Sequence, residues 1–175
     1  TGHIGVDMGP AHLGWQDVPL ATAMDTIAVD LGPPAPAPAI CHSIGNPHAV
    51  LFVDDAEALD MAHIGPILEH HPLFPDRANI SFVHQLGANR FRMRVWERGG
   101  GLTLACGSGA SAVGVAAYRA GLSGRVNEIV MDGGMVVIDW QDDGTPSGRV
   151  VMQGPVAYVC RGTLADELSF AVKAS

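Results

Sequence analysis

Apolar and polar positions alternate with a period of two along many short segments of the chain, a pattern typical of half-buried β-strands. Clusters of Gly, Pro, Asn and Asp separate these segments, as turn residues do between strands. The turn sequence Gly87-Ala88-Asn89 lies between two of them and predicts a β-hairpin. This pattern predicts strands at residues 2–8, 26–31, 40–44, 49–53, 79–86, 91–97, 128–131, 135–140, 149–152 and 156–160. A further, very short strand is predicted at 102–105.

One segment departs from the strand pattern, because residues 107–120 are almost all small and apolar. This composition predicts a helix that is buried on every side. Two shorter helices are predicted at the periphery, one over 56–61 and one that starts at Pro66 and ends near residue 70. The pattern indicates an α+β fold, a single strand-rich domain wrapped around one buried central helix, rather than regular βαβ alternation.

Composition excludes several classes of protein. The chain has 175 residues, of which 47% are hydrophobic, so it has about the length of one domain and enough apolar material for a core. Acidic residues outnumber basic ones by 18 to 10, and the resulting net charge of −8 argues against nucleic-acid binding. Three cysteines without close pairs do not form a disulfide framework. No apolar run reaches the roughly 18 residues that a membrane span needs.

The densest candidate for chemistry is Cys106, at the N-terminal edge of the buried helix and followed by Gly107, Ser108 and Gly109. Backbone N–H groups at a helix start have no intrahelical partner, so they can bind a carboxylate or phosphate. The same field favours a thiolate and is expected to lower the pKa of the thiol. The alternative is a buried cysteine that packs as a small hydrophobe, next to glycines that only permit close contact.

Three other segments carry polar residues beside predicted strands. Glu97 and Arg98 end one strand and could bind an amine and a carboxylate, although an exposed ion pair is the commoner case. Asn46 and His48 lie in a constrained turn that could direct them towards a site, or they could serve the turn alone. Asn79 begins a strand, where an Asn is usually only a cap.

Two further patterns are weak. His63, His70 and His71 have no Cys or acid at a ligand-like spacing, so no metal is expected. Residues 107–112 fit the G-x-G-x-x-A fingerprint of dinucleotide-binding proteins, with Glu128 or Asp132 about 20 residues on. The preceding strand is very short and no βαβ unit follows, which disfavours that interpretation. The remaining cysteines, in apolar segments, are interpreted as structural: Cys41 and Cys160.

Taken together, four segments resemble diaminopimelate epimerase: residues 43–50, residues 74–80, residues 96–110 with their Trp-Glu-Arg-Gly and Ala-Cys-Gly-Ser-Gly-Ala motifs, and residues 154–157. The resemblance implies the C-terminal half of a two-part enzyme whose active site lies between similar halves. Residues 1–175 are then the C-terminal domain, with 1–35 as the crossover region. The N-terminal half, with its own Cys-Gly-Asn-Gly motif and partner cysteine, is expected to be missing, which agrees with a sequence that starts at Thr1.

The resemblance also implies a reaction without pyridoxal phosphate, metal or any other cofactor. Two cysteines act on opposite faces of one α-carbon, and Cys106 matches one of them. The resemblance further implies that Gly107 and Ser108 bind the α-carboxylate and that Glu97 binds the α-ammonium. Further positions match residues that bind the distal amino-acid end of the substrate or lie near the sulfur: Asn46, Asn79 and Arg98 for the distal end, and His48 near Cys106.

Diaminopimelate is therefore the expected substrate, in lysine and peptidoglycan precursor synthesis in the cytoplasm. The chain alone is expected to be inactive, and its exposed inter-domain face makes self-association into a homodimer an expectation. Two alternatives stay open at this point. One is a related cofactor-independent racemase that acts on another acid, and the other is a non-catalytic half that only binds a partner or ligand.

Overall fold

The structure, a computed structural model, describes residues 2–163. Within that range there are nine strands and two helices. In chain order these are β1 (His3–Gly9), β2 (Ala39–Ser43), β3 (Pro47–Phe52), α1 (Met61–Glu69), β4 (Asn79–Gly87), β5 (Arg90–Glu97), β6 (Gly101–Thr103), α2 (Gly107–Arg119), β7 (Val126–Met131), β8 (Gly134–Gln141) and β9 (Arg149–Pro155).

The nine strands form one sheet in the order β1-β9-β8-β7-β5-β4-β3-β2, and β6 pairs with the end of β5. Two pairs are parallel, β3 with β4 and β5 with β7, and the others are antiparallel. Parallel neighbours need a crossover connection. Helix α1 lies in the first crossover, and β6 with α2 forms the second.

Helix α2 is the centre of the main core. It contacts β2 and β9, which lie near opposite ends of the sheet, so the sheet wraps around it. Residues 109–117 are all buried, which confirms the helix predicted from the run of small residues. The small residues permit this close approach, because a Cβ at Gly114 would lie 2.6 Å from Cγ2 of Ile138 on β8.

A second core covers the other face of β2, β3 and β4. Helix α1 and the irregular segment 10–38 contribute most of its cover. It is built from buried aliphatic and aromatic side chains such as Leu51, Leu68 and Phe82. The strands of this region are therefore buried on both faces, as the all-buried patterns of β2 and of the first five residues of β4 show.

The prediction of two short peripheral helices, with Pro66 in the first turn of the second, is wrong. The structure has one helix, with Asp60 as its N-cap and Pro66 inside it. The Asp60 carboxylate accepts the N–H of His63 at 3.2 Å, which fixes the helix start later than predicted. Packing compensates for the donor that proline lacks, because Gly65 lies directly against Trp96 and a Cβ there would be only 2.4 Å from the indole.

The strand predicted at 26–31 is also wrong. Only one bridge forms there, between Val29 and Ala39. The carboxylates of Asp25 and Asp30 each accept a backbone N–H two residues on, at 3.0 and 2.8 Å. These local bonds form turns that compete with strand pairing.

The strand predicted at 156–160 does not form, because β9 ends at Pro155 and the following residues are irregular. Proline has no N–H to continue the ladder, and after the single bond from Val156 N–H to the Gly2 carbonyl the pairing stops. Tyr158 and Val159 are 78% and 88% exposed. No helix within residues 2–163 has the length and apolar character to cross a bilayer.

Candidate active site

Cys106 is the N-cap of α2, in an extended backbone conformation. Its Sγ accepts the N–H of Gly109 at 3.4 Å, and its backbone carbonyl accepts the N–H of Ala110 at 2.9 Å. The sulfur therefore lies over the first turn of the helix. Gly107 and Ser108 provide the two N–H groups of that turn that find no acceptor among residues 2–163. Both residues are half-buried, so this pair can bind an anion beside the sulfur.

A chain of side-chain contacts leads from the β2–β3 turn to the sulfur. Nε2 of His48 lies 2.9 Å from Oδ1 of Asn46, Nδ2 of Asn46 donates to Oγ of Ser108 at 3.3 Å, and Oγ of Ser108 lies 3.6 Å from Sγ of Cys106. Because the Asn46 amide turns its nitrogen to Ser108, its oxygen accepts the Nε2 proton of His48. The structure thus brings together four of the predicted site residues.

His48 does not contact the sulfur directly, because the side chains of Asn46 and Ser108 stand between them. It is completely buried, and burial together with the nearby Arg98 lowers its pKa to about 3. The ring is therefore neutral at physiological pH and acts on Cys106 only through Asn46 and Ser108. A ring with this pKa takes up no proton near neutral pH, and its side-chain contact is with the Asn46 amide, so the predicted catalytic role of His48 stays a prediction.

Glu97 is the last residue of β5. Its Oε1 accepts the hydroxyl of Thr103 at 2.5 Å, across the short β5–β6 hairpin. The hairpin fixes the carboxylate, and the carboxylate also interacts with the sulfur. A carboxylate next to the anion-binding N–H pair is suited to a ligand that carries a carboxylate and an ammonium on one carbon.

Burial of Cys106 raises the pKa of its thiol, and the negative charge of Glu97 raises it further. The hydrogen bonds from Ser108 and Gly109 act in the opposite direction and are outweighed. The expectation that the helix start would lower this pKa below its usual range is therefore wrong for this chain, because desolvation disfavours the thiolate. Cys106 rests as a thiol at neutral pH.

Asn79 and Arg98 join the strands that surround the site. Nδ2 of Asn79 donates to the Pro47 carbonyl at 2.9 Å, and its Oδ1 accepts the N–H of Arg98 at 2.9 Å. The Arg98 guanidinium donates to the Asp76 carbonyl at 3.1 Å and is otherwise exposed. Asn79 is thus buried and shapes the β5–β6 turn, whereas the Arg98 side chain lies at the surface next to the site.

The family follows from comparison with known sequences. A model of the family described as diaminopimelate epimerase matches residues 40–159. This chain belongs to the diaminopimelate epimerase family. It is 53% identical over 167 residues to a diaminopimelate epimerase of Rhodospirillum centenum and 54% identical over 162 residues to one of Acidiphilium cryptum. These alignments cover 95% and 92% of the chain but only 56% and 57% of the relatives' own lengths.

Solved structures show the same fold at low sequence identity. A hydroxyproline epimerase from Agrobacterium vitis superposes with a TM-score of 0.55 over 87% of this chain and 49% of that one, at 14% identity. The comparison confirms an α+β domain of the epimerase type. The resemblance inferred from the sequence motifs is confirmed by the family match.

Two residues beside the candidate site were missed by sequence reasoning. Thr103 donates its hydroxyl hydrogen bond to Glu97. The only sequence signal for Thr103 is its position in the short strand before Cys106. Glu69 lies at the end of α1, where an acid normally faces solvent, yet its side chain is only 5% exposed and it accepts the N–H of Gly99 at 2.8 Å. No local pattern marks this residue.

Other candidates lie outside the site. Cys41 is buried in β2, and burial raises its pKa to about 12, in agreement with a structural role. The interpretation of Cys160 as a structural residue of an apolar strand is wrong, because that strand does not form and Cys160 is exposed and bonded to neither of the other two cysteines. The dinucleotide interpretation is wrong, since Gly107 and Gly109 lie inside α2 rather than in a loop before it, and β6 forms an antiparallel hairpin.

Proposed function

We propose that this chain provides one half of the active site of a cofactor-independent diaminopimelate epimerase, with Cys106 as one of two acid–base groups. The observation that carries the proposal is the arrangement at the start of α2. A thiol at the N-cap, two N–H groups with no acceptor among residues 2–163 and a carboxylate, that of Glu97, that interacts with the thiol occur together there. An amino-acid α-centre presents the matching hydrogen, carboxylate and ammonium.

The proposed chemistry starts with the substrate α-carboxylate at the N–H groups of Gly107 and Ser108 and the α-ammonium at Glu97. A base on one face removes the α-proton, and the electron pair of the C–H bond delocalises towards the carboxylate. Cys106 gives its S–H proton to the other face, which leaves a thiolate and completes the inversion. The positive end of α2 stabilises the developing charge because it is aimed at the carboxylate before reaction.

The raised pKa of Cys106 supports its assignment as the proton donor in the step described above, in which the opposite base removes the α-proton. In the reverse direction the thiolate that forms becomes the base, so the two groups exchange roles. The first base is proposed to be the partner cysteine of the N-terminal half, which belongs to the part of the relatives that this chain does not span. Inversion then requires both halves.

Three residues are proposed to recognise the distal amino-acid end of diaminopimelate. Asn46 and Asn79 can add a contact each to those they already make, and the Arg98 guanidinium is exposed beside them. A substrate without this distal end would not need the set, which distinguishes diaminopimelate from other acids. The cytoplasmic location and the role in lysine synthesis are proposed from the family resemblance alone.

The test is α-proton exchange. The chain is incubated with LL- and meso-diaminopimelate in D₂O under reducing conditions, with and without an N-terminal half taken from a relative, and the α-proton signal is followed by NMR. Exchange that depends on the added half supports the proposal. Cys106→Ala should abolish it, whereas the matched control Cys160→Ala should not. Absence of exchange in both mixtures, from folded samples, would count against the assignment.

A further inference from the structure

The carboxylate of Glu69 makes three contacts in the interior. Its Oε1 accepts the N–H of Gly99 at 2.8 Å, and its Oε2 accepts Nε1–H of Trp96 at 2.7 Å. Nη1 of Arg77 lies 3.5 Å from Oε1. Its own burial would raise the pKa of Glu69, but the bonds from Trp96 and Gly99 lower it below the ordinary value. Glu69 is therefore charged at neutral pH.

The donors come from both ends of the turn that bears the proposed ammonium ligand. Trp96 and Gly99 flank Glu97 and Arg98 in sequence, and Glu69 is bonded to both. The N–H of Arg98, the residue before Gly99, is also fixed, because it donates to Oδ1 of Asn79. Two successive N–H groups of one turn are thus fixed by side chains from two other elements, which leaves the turn little freedom.

We propose that Glu69 is a positioning residue for the proposed epimerase reaction, and that it fixes the 97–99 turn so that the Glu97 carboxylate stays next to Cys106. The expected effect of Glu69 on the reaction rests on the proposed function. The expected effect of Glu69 on the position of Glu97 relative to Cys106 does not. Glu69 acts through the turn, because the hydrogen bonds of its carboxylate within residues 2–163 are to Trp96, Gly99 and Arg77.

A carboxylate is suited to this position because both of its oxygens accept. Glutamine accepts at one oxygen only, and its NH₂ group would oppose either the Gly99 N–H or the Trp96 indole N–H. Glu69→Gln therefore leaves a buried donor unpaired and frees one end of the turn. Packing of the indole is separate from this contact, since Trp96 also rests on Gly65.

The test measures the thiol of Cys106, which needs no substrate. Glu97 raises the pKa of Cys106, so a displaced turn should lower it. The alkylation rate of Cys106 is followed against pH in a Cys160→Ser background, and the Gly99 amide and Trp96 indole resonances are recorded by NMR. Glu69→Gln should shift both resonances and move the thiol titration to lower pH.

Glu128→Gln is the matched control, because Glu128 is half-exposed and, in the part of the chain that the structure describes, forms an ion pair with Arg90 alone, at 3.5 Å. It should leave the thiol titration unchanged. In the complete two-half enzyme, Glu69→Gln should also reduce α-proton exchange by about 10²-fold, the effect of misplacing a contact group by roughly 1 Å. Circular dichroism establishes that the variants are folded.

A folded Glu69→Gln variant with the wild-type thiol titration overturns the proposal, even if it is less stable. If that variant does not fold, Glu69→Asp keeps the charge on a side chain one methylene shorter. It should shift the titration in the same direction by a smaller amount, and an unchanged titration overturns the proposal equally. Failure of the epimerase assignment alone would appear as no exchange in the wild type, with the thiol shift still present.

Discussion

Gly114→Ala tests whether the sheet closes on α2 as tightly as the structure indicates. The new Cβ would lie 2.6 Å from Cγ2 and 2.9 Å from Cβ of Ile138, against the roughly 3.5–4.0 Å of an ordinary carbon contact. The Cβ of Ile138 is attached directly to the backbone of β8, so rotamer changes cannot relieve that contact. Overpacking of this kind costs about 1–3 kcal/mol.

Alanine also favours the helix by about 1 kcal/mol over glycine, so the net loss in the free energy of unfolding should be about 1 kcal/mol. Urea unfolding followed by circular dichroism measures it, and the corresponding fall in Tm is about 2–4 °C. Gly124→Ala is the control, because nothing lies within 4 Å of its added Cβ, and it should be near neutral. Gly114→Ala with a stability above that of the wild type would refute the close packing of α2 on β8.

Three other outcomes are expected. Ser108→Ala should raise the pKa of Cys106, since the Ser108 hydroxyl stabilises the thiolate, and an unchanged pH profile of alkylation would contradict this. Glu69 has a folded-state pKa below the ordinary 4.5, so its contribution to stability is complete above that pH and is lost as pH falls through the lowered value. The stability difference between wild type and Glu69→Gln should accordingly shrink in acid; urea unfolding at pH 7 and below pH 4.5 measures it, and a constant difference would exclude the charge as its origin. The chain should self-associate through its exposed apolar residues, such as Leu104 at 70% exposure, and light scattering that shows a monomer at high concentration would contradict this.

The local pattern of apolar and polar residues predicted those helices and strands whose burial follows directly from residue size or alternation. The small residues of α2 and the alternation along β4 and β5 indicated a buried helix and a hairpin, and both are confirmed. For the two peripheral helices the prediction was wrong because one tertiary contact outweighs local propensity. Trp96 packs on Gly65 and supports a helix through Pro66, which sequence alone divides into two.

The sequence predicted the position of Cys106 at a helix start but not the electrostatics around its sulfur. The motif indicated Cys106 and its helix start, and the resulting field would lower the pKa of an exposed thiol. The burial that reverses this effect depends on how deeply the sheet encloses α2, which no local pattern encodes. Glu69 was not predicted either, because its hydrogen-bond partners Trp96 and Gly99 lie about 30 residues away in sequence and no local pattern indicates them.

The proposed mechanism places Cys106 on one face of the α-carbon and a group of the other half on the opposite face. The most direct test follows LL-diaminopimelate in D₂O with both halves present and records stereochemistry and deuterium content of the first product formed. We expect meso product that carries one deuterium at the inverted centre, and no meso product when Cys106 is replaced by alanine. Inversion by the 175-residue chain alone, or meso product that retains its α-hydrogen, would contradict it.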